Sequence, residues 1–282
     1  MFGNERNIYT ILKIAEVFLI SKGLFDIRCD VEILLSSVLK IDRTRLYSTK
    51  NNITDIQKSI YANYIVRRSK REPVAYILGV TEFMYFDFII NENVFIPRPE
   101  TEILVDSVLE FSKNKRKLLL LDLCTGSGCI AISLRKLGKF KDIIASDINE
   151  NAIEIAVKNA KINDVSDIAF IKSNIFDDIN GKMFDIIVSN PPYVSFKEYN
   201  LLEPEIKYEP KNALIACDDG LFFYRKIIDC SNKYLKNNGV VFVELNSNKY
   251  KSIELMFLNY GYKNIKIIKD YAGLPRVLKA EK

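Results

Sequence analysis

From residue 101 onward, helical and strand periods alternate along the chain, and that alternation leaves few architectures open. Apolar residues recur at helical spacing over 102–112, 129–137, 150–162, 219–236 and 248–260. Strand-like patterns occupy 117–123, 142–147, 167–171, 184–189 and 239–245. Strands separated by helices build a parallel sheet wound on both faces. The runs 118–121 and 186–188 are continuously apolar, as central strands covered on both sides require. Residues 264–268 and Val277-Leu278 read as a closing antiparallel pair.

The leading region follows a different period. Ile8, Ile11, Leu12, Ala15, Phe18 and Leu19 form one helical stripe. Val31, Leu34, Leu35, Val38 and Leu39 form a second behind Asp30 as its expected cap, and Ile56, Ile60, Tyr64 and Ile65 a third behind Thr54. Between Phe83 and Ile96 the pattern turns aromatic and β-branched, with Asn91-Glu92-Asn93 as the expected turn of a β-hairpin. At 282 residues, two domains are expected. They are a helical unit over 1–80 and an α/β domain over 99–282, joined by the hairpin over 81–98.

Composition removes much chemistry. With no histidine and no tryptophan, Ser-His-Asp triads, Cys-His pairs and histidine-ligated metal sites are excluded, and no metal is expected. A net charge of +5 falls short of the basic face of a dedicated nucleic-acid binder. Five cysteines without a C-x-x-C pair read as reduced thiols. No signal-like leader opens the chain, and no apolar run reaches the roughly 18 residues of a membrane span, so a cytoplasmic protein is expected.

Two loops carry the chemistry. Cys124-Thr125-Gly126-Ser127-Gly128 joins an apolar strand to a helix, and such a glycine turn lets backbone pass close to a ligand. Asp147 ends the following strand, where a carboxylate accepts from ribose hydroxyls, so the pair reads as an adenosine site. Gly126-x-Gly128-x-x-Ala131 also fits a dinucleotide fingerprint. Tyr193-x-x-x-Lys197 mimics the catalytic pair of short-chain dehydrogenases, but that pair needs a helix and here Pro191-Pro192 precede the tyrosine.

The second loop, Asn190-Pro191-Pro192-Tyr193, follows the strand over 184–189, at the carboxyl end of the sheet. The prolines fix the backbone and offer no donors, so the Pro191 carbonyl and the Asn190 side-chain oxygen form a rigid acceptor pair, with Tyr193 for stacking. Such a pair suits a planar NH₂ group. Accepting both N–H bonds while a methyl approaches one face stabilises the charge developing on nitrogen. The sulfonium of S-adenosylmethionine is the matching methyl source, and alignment is then the main task of the protein.

Together the tetrad, the glycine loop and Asp147 resemble class I S-adenosylmethionine-dependent methyltransferases, with their Rossmann-like doubly wound sheet. Arg71-Glu72-Pro73-Val74-Ala75-Tyr76-Ile77-Leu78-Gly79, Ile96-Pro97-Arg98-Pro99-Glu100-Thr101-Glu102, Tyr208-Glu209-Pro210 and Asp270-Tyr271-Ala272-Gly273-Leu274-Pro275-Arg276 look like signatures of the HemK/PrmC family of peptide chain release factor N5-glutamine methyltransferases. The resemblance implies methylation of the glutamine of the Gly-Gly-Gln motif in class 1 bacterial release factors. It implies cofactor contacts from Cys124, Thr125, Gly126, Ser127, Gly128, Asp147, Asn174, Ile175 and Asn190. Asn190, Pro191, Pro192 and Tyr193 would hold the glutamine, with Asn190, Pro191 and Tyr193 catalytic. The helical unit would contact the release factor, with no nucleic acid required.

The sequence departs from the family pattern at several places. Cys124 stands where the family usually has a glycine, which implies a backbone without positive φ. Asn174 replaces an acidic residue and is expected to accept from the adenine amine. Glu244-Leu245-Asn246 replaces a glycine-containing ending. Arg98 and Glu100 read equally as site organisers and as an ion pair or helix start. Arg67-Arg68-Ser69-Lys70-Arg71 reads first as a solvated helix end and second as a contact for release factor or ribosomal RNA. Competing readings are a ribosomal-protein glutamine methyltransferase, an adenine-N6 methylase and a non-catalytic adaptor.

Overall fold

A computed structural model of the chain describes residues 1–48, 52–217 and 219–282. They form two compact units, the first comprising Met1–Gly79 with Glu203–Tyr208, the second Val80–Leu202 with Glu209–Lys282.

The first unit is helical: α1 (Ile8–Ser21), α2 (Arg28–Leu39), α3 (Asp55–Arg68) and the short α4 (Val74–Leu78). Asn7 caps α1, and Thr54 with Gln57 closes a capping box on α3, so the first orphan amides of both helices are satisfied. Asp30 does not cap α2. It lies in the first turn, and its carboxylate accepts from Nε of Arg68 at 2.7 Å. The buried stripe of α3 runs through Tyr61, Ile65 and Arg68, whereas Ile56 and Ile60 are exposed. Two neighbouring stripes on this helix both have helical spacing, and periodicity alone does not choose between them.

The basic run is not a solvated helix end. Arg67 pairs with Glu72, Arg68 with Asp30 and Glu205, and Arg71 with Glu205. Glu205 arrives on Glu203–Tyr208, the segment that the chain contributes to this unit between two stretches of the other.

The second unit begins with a hairpin of β1 (Val80–Phe83) and β2 (Phe86–Ile89). Its turn is Met84-Tyr85, both at positive φ (49° and 66°), not the expected Asn91-Glu92-Asn93. A two-residue turn of this hand usually advertises itself by Asn or Gly, and these residue types conceal it. There follow α5 (Pro99–Ser112), β3 (Leu118–Leu123), α6 (Cys129–Leu137), β4 (Phe140–Asp147), α7 (Glu150–Ile162), β5 (Ile168–Lys172) and β6 (Phe184–Ser189). The remainder comprises α8 (Phe196–Leu201), α9 (Lys211–Leu214), α10 (Phe222–Tyr234), β7 (Leu235–Glu244), α11 (Tyr250–Asn259), β8 (Lys263–Lys269) and β9 (Pro275–Glu281).

Seven strands form one sheet in the order β5-β4-β3-β6-β7-β9-β8. The first five are mutually parallel, and β9 and β8 close the edge as the expected antiparallel pair. Alternate residues face two cores. Leu120, Ile186, Val188 and Phe242 lie in one, and Leu121, Ile187, Val241 and Val243 in the other. The chain runs outward from β3 through β4 to β5, then returns to place β6 on the other side of β3. That reversal opens a crevice beyond the carboxyl ends of β3 and β6.

Candidate active site

Both loops singled out in the sequence leave the sheet at this crevice. The glycine loop follows β3 and the tetrad follows β6, with Leu123 and Ser189 paired in register. The Ser189 hydroxyl donates to the Leu123 carbonyl at 2.8 Å, tying the two loop origins together.

Within the glycine loop, the Thr125 hydroxyl donates to the Asp122 carboxylate at 2.6 Å, and the Gly128 amide to the Thr125 carbonyl at 2.9 Å. Asp122 is fully buried, and burial pushes its carboxyl up to about 7 against the opposing pull of Thr125. The two glycines differ. A Cβ on Gly126 would meet nothing within 4 Å, so the loop is open there. A Cβ on Gly128 would lie 3.0 Å from Ala156 Cβ and from Ile132 Cδ1. Gly128 therefore serves close packing of α6 on α7, and Gly126 leaves room on the loop surface.

Cys124 contradicts the expectation drawn from its residue type, since its φ is +59°. The position keeps the left-handed backbone that glycine adopts freely, at a cost of about 1 kcal/mol for a residue with a Cβ. Burial, with Asp147 and Asp122 nearby, pushes the Cys124 thiol up, and burial carries Cys129 up to about 12, so neither supplies a thiolate near neutrality.

Asp147 closes β4. One carboxylate oxygen accepts from the Gly126 amide and the other from the Asn149 amide, both at 2.9 Å. A carboxylate has about four acceptor sites, so it retains capacity for two hydroxyl donors. Burial raises its pKa, opposed by those amides. Asn174 and Ile175 follow β5, the strand beside β4. Asn174 is exposed and donates to Asp177 at 3.0 Å, leaving its own amide oxygen as an acceptor. Ser127 is buried, and its carbonyl accepts from Asn159 of α7 at 2.9 Å.

Asn190 is half-buried and its Nδ2 donates to the Thr101 hydroxyl at 3.2 Å. Thr101 donates to Glu244 Oε2 at 2.7 Å, and the Tyr193 hydroxyl to Glu244 Oε1 at 3.3 Å. Glu244 ends β7, is 2% exposed, and is pushed by burial up to about 7, opposed by Thr101 and by Arg276. Pro191 and Pro192 are buried. Past the tetrad, Val194 exchanges backbone hydrogen bonds with the 214–216 segment, and Ser195 caps α8 with Glu198, itself held by Lys249 at 2.7 Å. Lys197 lies on exposed α8 while Tyr193 precedes that helix, so the dehydrogenase-like spacing does not occupy one helix.

Thr101 and Glu244 were not among the residues singled out for the site, nor was Glu209. Buried at 2%, Glu209 accepts from the Ile96 amide at 3.0 Å and pairs with Arg98. Arg98 is thus committed to that carboxylate, and Glu100 stands exposed in the first turn of α5. The signal for Glu209 was its place between tyrosine and proline in a family-like run. For Thr101 and Glu244, separated widely in sequence, only the fold shows the contact. Among the described residues, no cluster of metal-ligating side chains occurs and no helix is long and apolar enough to cross a membrane.

Comparison with known proteins bears on family and fold. Residues 10–79 match the family model of the PrmC N-terminal domain, and residues 99–207 that of the methyltransferase small domain. The chain is 40% identical over 273 residues to a release factor glutamine methyltransferase of Thermodesulfovibrio yellowstonii, covering 96% of this chain and 97% of that protein. Among solved structures, a methyltransferase from Pyrococcus furiosus aligns with TM-score 0.55 at 20% identity over 82% of this chain and 99% of its own. A 16S rRNA N2 G1207 methyltransferase of T. thermophilus, solved with AdoMet and guanosine, aligns with TM-score 0.54 at 19% identity over 72% of this chain and 49% of its own.

Proposed function

The chain belongs to the release factor glutamine methyltransferase family, and on that premise we propose that it transfers a methyl group from S-adenosylmethionine to the side-chain amide nitrogen of the Gly-Gly-Gln glutamine in class 1 release factors. The observation that carries this reading is the adjacency of the two loops. An acceptor pair for a planar NH₂ lies on the strand next to a loop with the open Gly126 surface and the unfilled acceptor capacity of Asp147.

The chain fits the cofactor. Asp147 has the acceptors that a ribose diol needs, Cys124, Thr125, Gly126, Ser127 and Gly128 supply a close-approach backbone, and Asn174 and Ile175 stand beyond the neighbouring strand as the adenine contacts. When bound, S-adenosylmethionine supplies a methyl on a sulfonium, so that the N–C bond forms as the S–C bond breaks and sulfur keeps the electron pair. The Asn190 side-chain oxygen and the Pro191 carbonyl accept the two amide N–H bonds, orienting the nitrogen lone pair and stabilising the positive charge it acquires. Pro192 stiffens the pair, and the Tyr193 ring bounds the glutamine, its hydroxyl held by Glu244. The proton leaves to water once the nitrogen is cationic, so no imidazole base is needed. The reaction takes place in the cytoplasm, where release factors act, without a nucleic-acid cofactor. The helical unit over 1–80 serves as the release-factor contact, the hairpin over 81–98 as its connection, and 99–282 as the catalytic domain.

Incubation with methyl-labelled S-adenosylmethionine and, separately, a class 1 release factor, ribosomal protein or DNA tests the assignment. Label is expected in the release factor alone, and Asn190→Ala is expected to lower its incorporation by about two orders of magnitude, the scale of one lost preorganised polar group. Label in DNA or ribosomal protein but not in release factor would overturn the substrate.

A further inference from the structure

We propose that Thr101 and Glu244 form a hydrogen-bond relay that sets which way the Asn190 amide points, and are thereby positioning residues for methyl transfer.

Above about pH 7, where it is ionised, Glu244 only accepts. Its Oε1 takes the Tyr193 hydroxyl and its Oε2, 2.7 Å from Thr101 Oγ1, takes the one proton that hydroxyl has. The Thr101 oxygen is then left with lone pairs alone, so the Asn190 group 3.2 Å away must be the NH₂. The amide oxygen consequently faces away from Thr101, free for a donor. Reversed, Asn190 would offer NH₂ to a substrate NH₂, donor against donor, and the acceptor pair with Pro191 would be lost. The hydrogen-bond chain thus fixes the amide orientation.

Rigid elements hold the relay. Thr101 sits in the first turn of α5, 2% exposed, and its amide donates to the Arg98 carbonyl at 3.0 Å. The Glu244 carbonyl accepts from the buried Tyr224 hydroxyl at 2.8 Å, anchoring the end of β7. Three segments far apart in sequence thus meet on one carboxylate. Neither Thr101 nor Glu244 needs to touch substrate.

The test rests on the methyl-transfer reading for its kinetic arm and on the resting protein for its structural arm. Thr101→Val removes the hydroxyl and keeps the shape. It is expected to lower kcat for release-factor methylation about tenfold or more while S-adenosylmethionine binding stays within about twofold, the scale of one buried hydrogen-bond partner. Thr101→Ser restores most of the lost rate. Equal rates in wild type and Thr101→Val would overturn the relay. The structural arm uses wild type, so it does not depend on a variant folding. In NMR spectra of the full chain, with the Asn190 side-chain signals assigned by through-bond correlation to its own backbone, nuclear Overhauser contacts are expected between the Asn190 NH₂ protons and the Thr101 methyl. Their absence would overturn the proposal. A wild-type chain that fails to methylate release factor would refute the functional reading alone, and the NMR contact would then decide the relay by itself.

Discussion

Substituting alanine separately at Gly126 and Gly128 separates ligand approach from packing in a loop only five residues long. Both glycines have positive φ, 54° and 81°, so each alanine pays about 1 kcal/mol for the left-handed backbone. At Gly126 the new methyl meets nothing within 4 Å, so that is nearly the whole cost to folding. At Gly128 it would lie 3.0 Å from the Ala156 and Ile132 side chains and 3.3 Å from Ala156 Cα, a backbone atom that cannot rotate away. Overpacking of this kind adds about 1–3 kcal/mol, giving about 2–4 kcal/mol in all, a large share of a typical stability. Urea dependence of amide exchange in β3 measures stability inside the second unit, and titration calorimetry measures S-adenosylmethionine binding. Gly126→Ala is expected to fold nearly as wild type yet bind at least tenfold more weakly, because its methyl stands on the open face. Gly128→Ala should lose stability first. If Gly126→Ala bound S-adenosylmethionine like wild type, the open face of this loop would not be the cofactor surface.

Two further perturbations probe buried carboxylates. Glu209→Ala leaves the buried Ile96 amide without its acceptor and releases Arg98, one-third exposed, to solvent, and is expected to cost about 1–3 kcal/mol, read as a lowered urea midpoint for the second unit. For Glu244, the surrounding groups are Tyr193, Thr101 and Glu100, Tyr224, Cys129 and Arg276, and burial dominates, raising its pKa from 4.5 to about 7. A raised carboxyl pKa means the folded state holds the proton more tightly. Its contribution is therefore fully present below pH 4.5 and is lost as pH climbs to about 7. Glu244→Gln should accordingly gain on wild type by up to about 3 kcal/mol between pH 4.5 and 7, then run parallel to it. A pH-independent gap between the two proteins would mean that Glu244 does not titrate in this range.

Much of the fold was legible because the second unit obeys local rules. The strand over 184–189 and the helices over 129–137 and 150–162 occupy the expected residues, since apolar runs bounded by glycine, asparagine or aspartate leave little choice. What escaped was decided by tertiary context. Met84-Tyr85 and Cys124 adopt left-handed backbone without the residue types that announce it. The arginines of the 67–71 run found carboxylates, one of them Glu205, far along the chain. The glycine loop and the tetrad were readable as motifs because the roles proposed for them, close backbone approach and a rigid acceptor pair, demand particular residues at fixed spacing. Thr101 and Glu244 were not, since a threonine and a glutamate acquire meaning only when folding brings them to Asn190 and Tyr193.

Mass spectrometry of the tryptic Gly-Gly-Gln peptide from a class 1 release factor, after incubation with this protein and S-adenosylmethionine, tests substrate, position and chemistry together. The expected spectrum shows one added methyl, with fragment ions placing it on the glutamine side chain. An unmodified peptide, or a methyl on any other residue, would contradict the assignment of Asn190 and Pro191 as the acceptor pair for that amide.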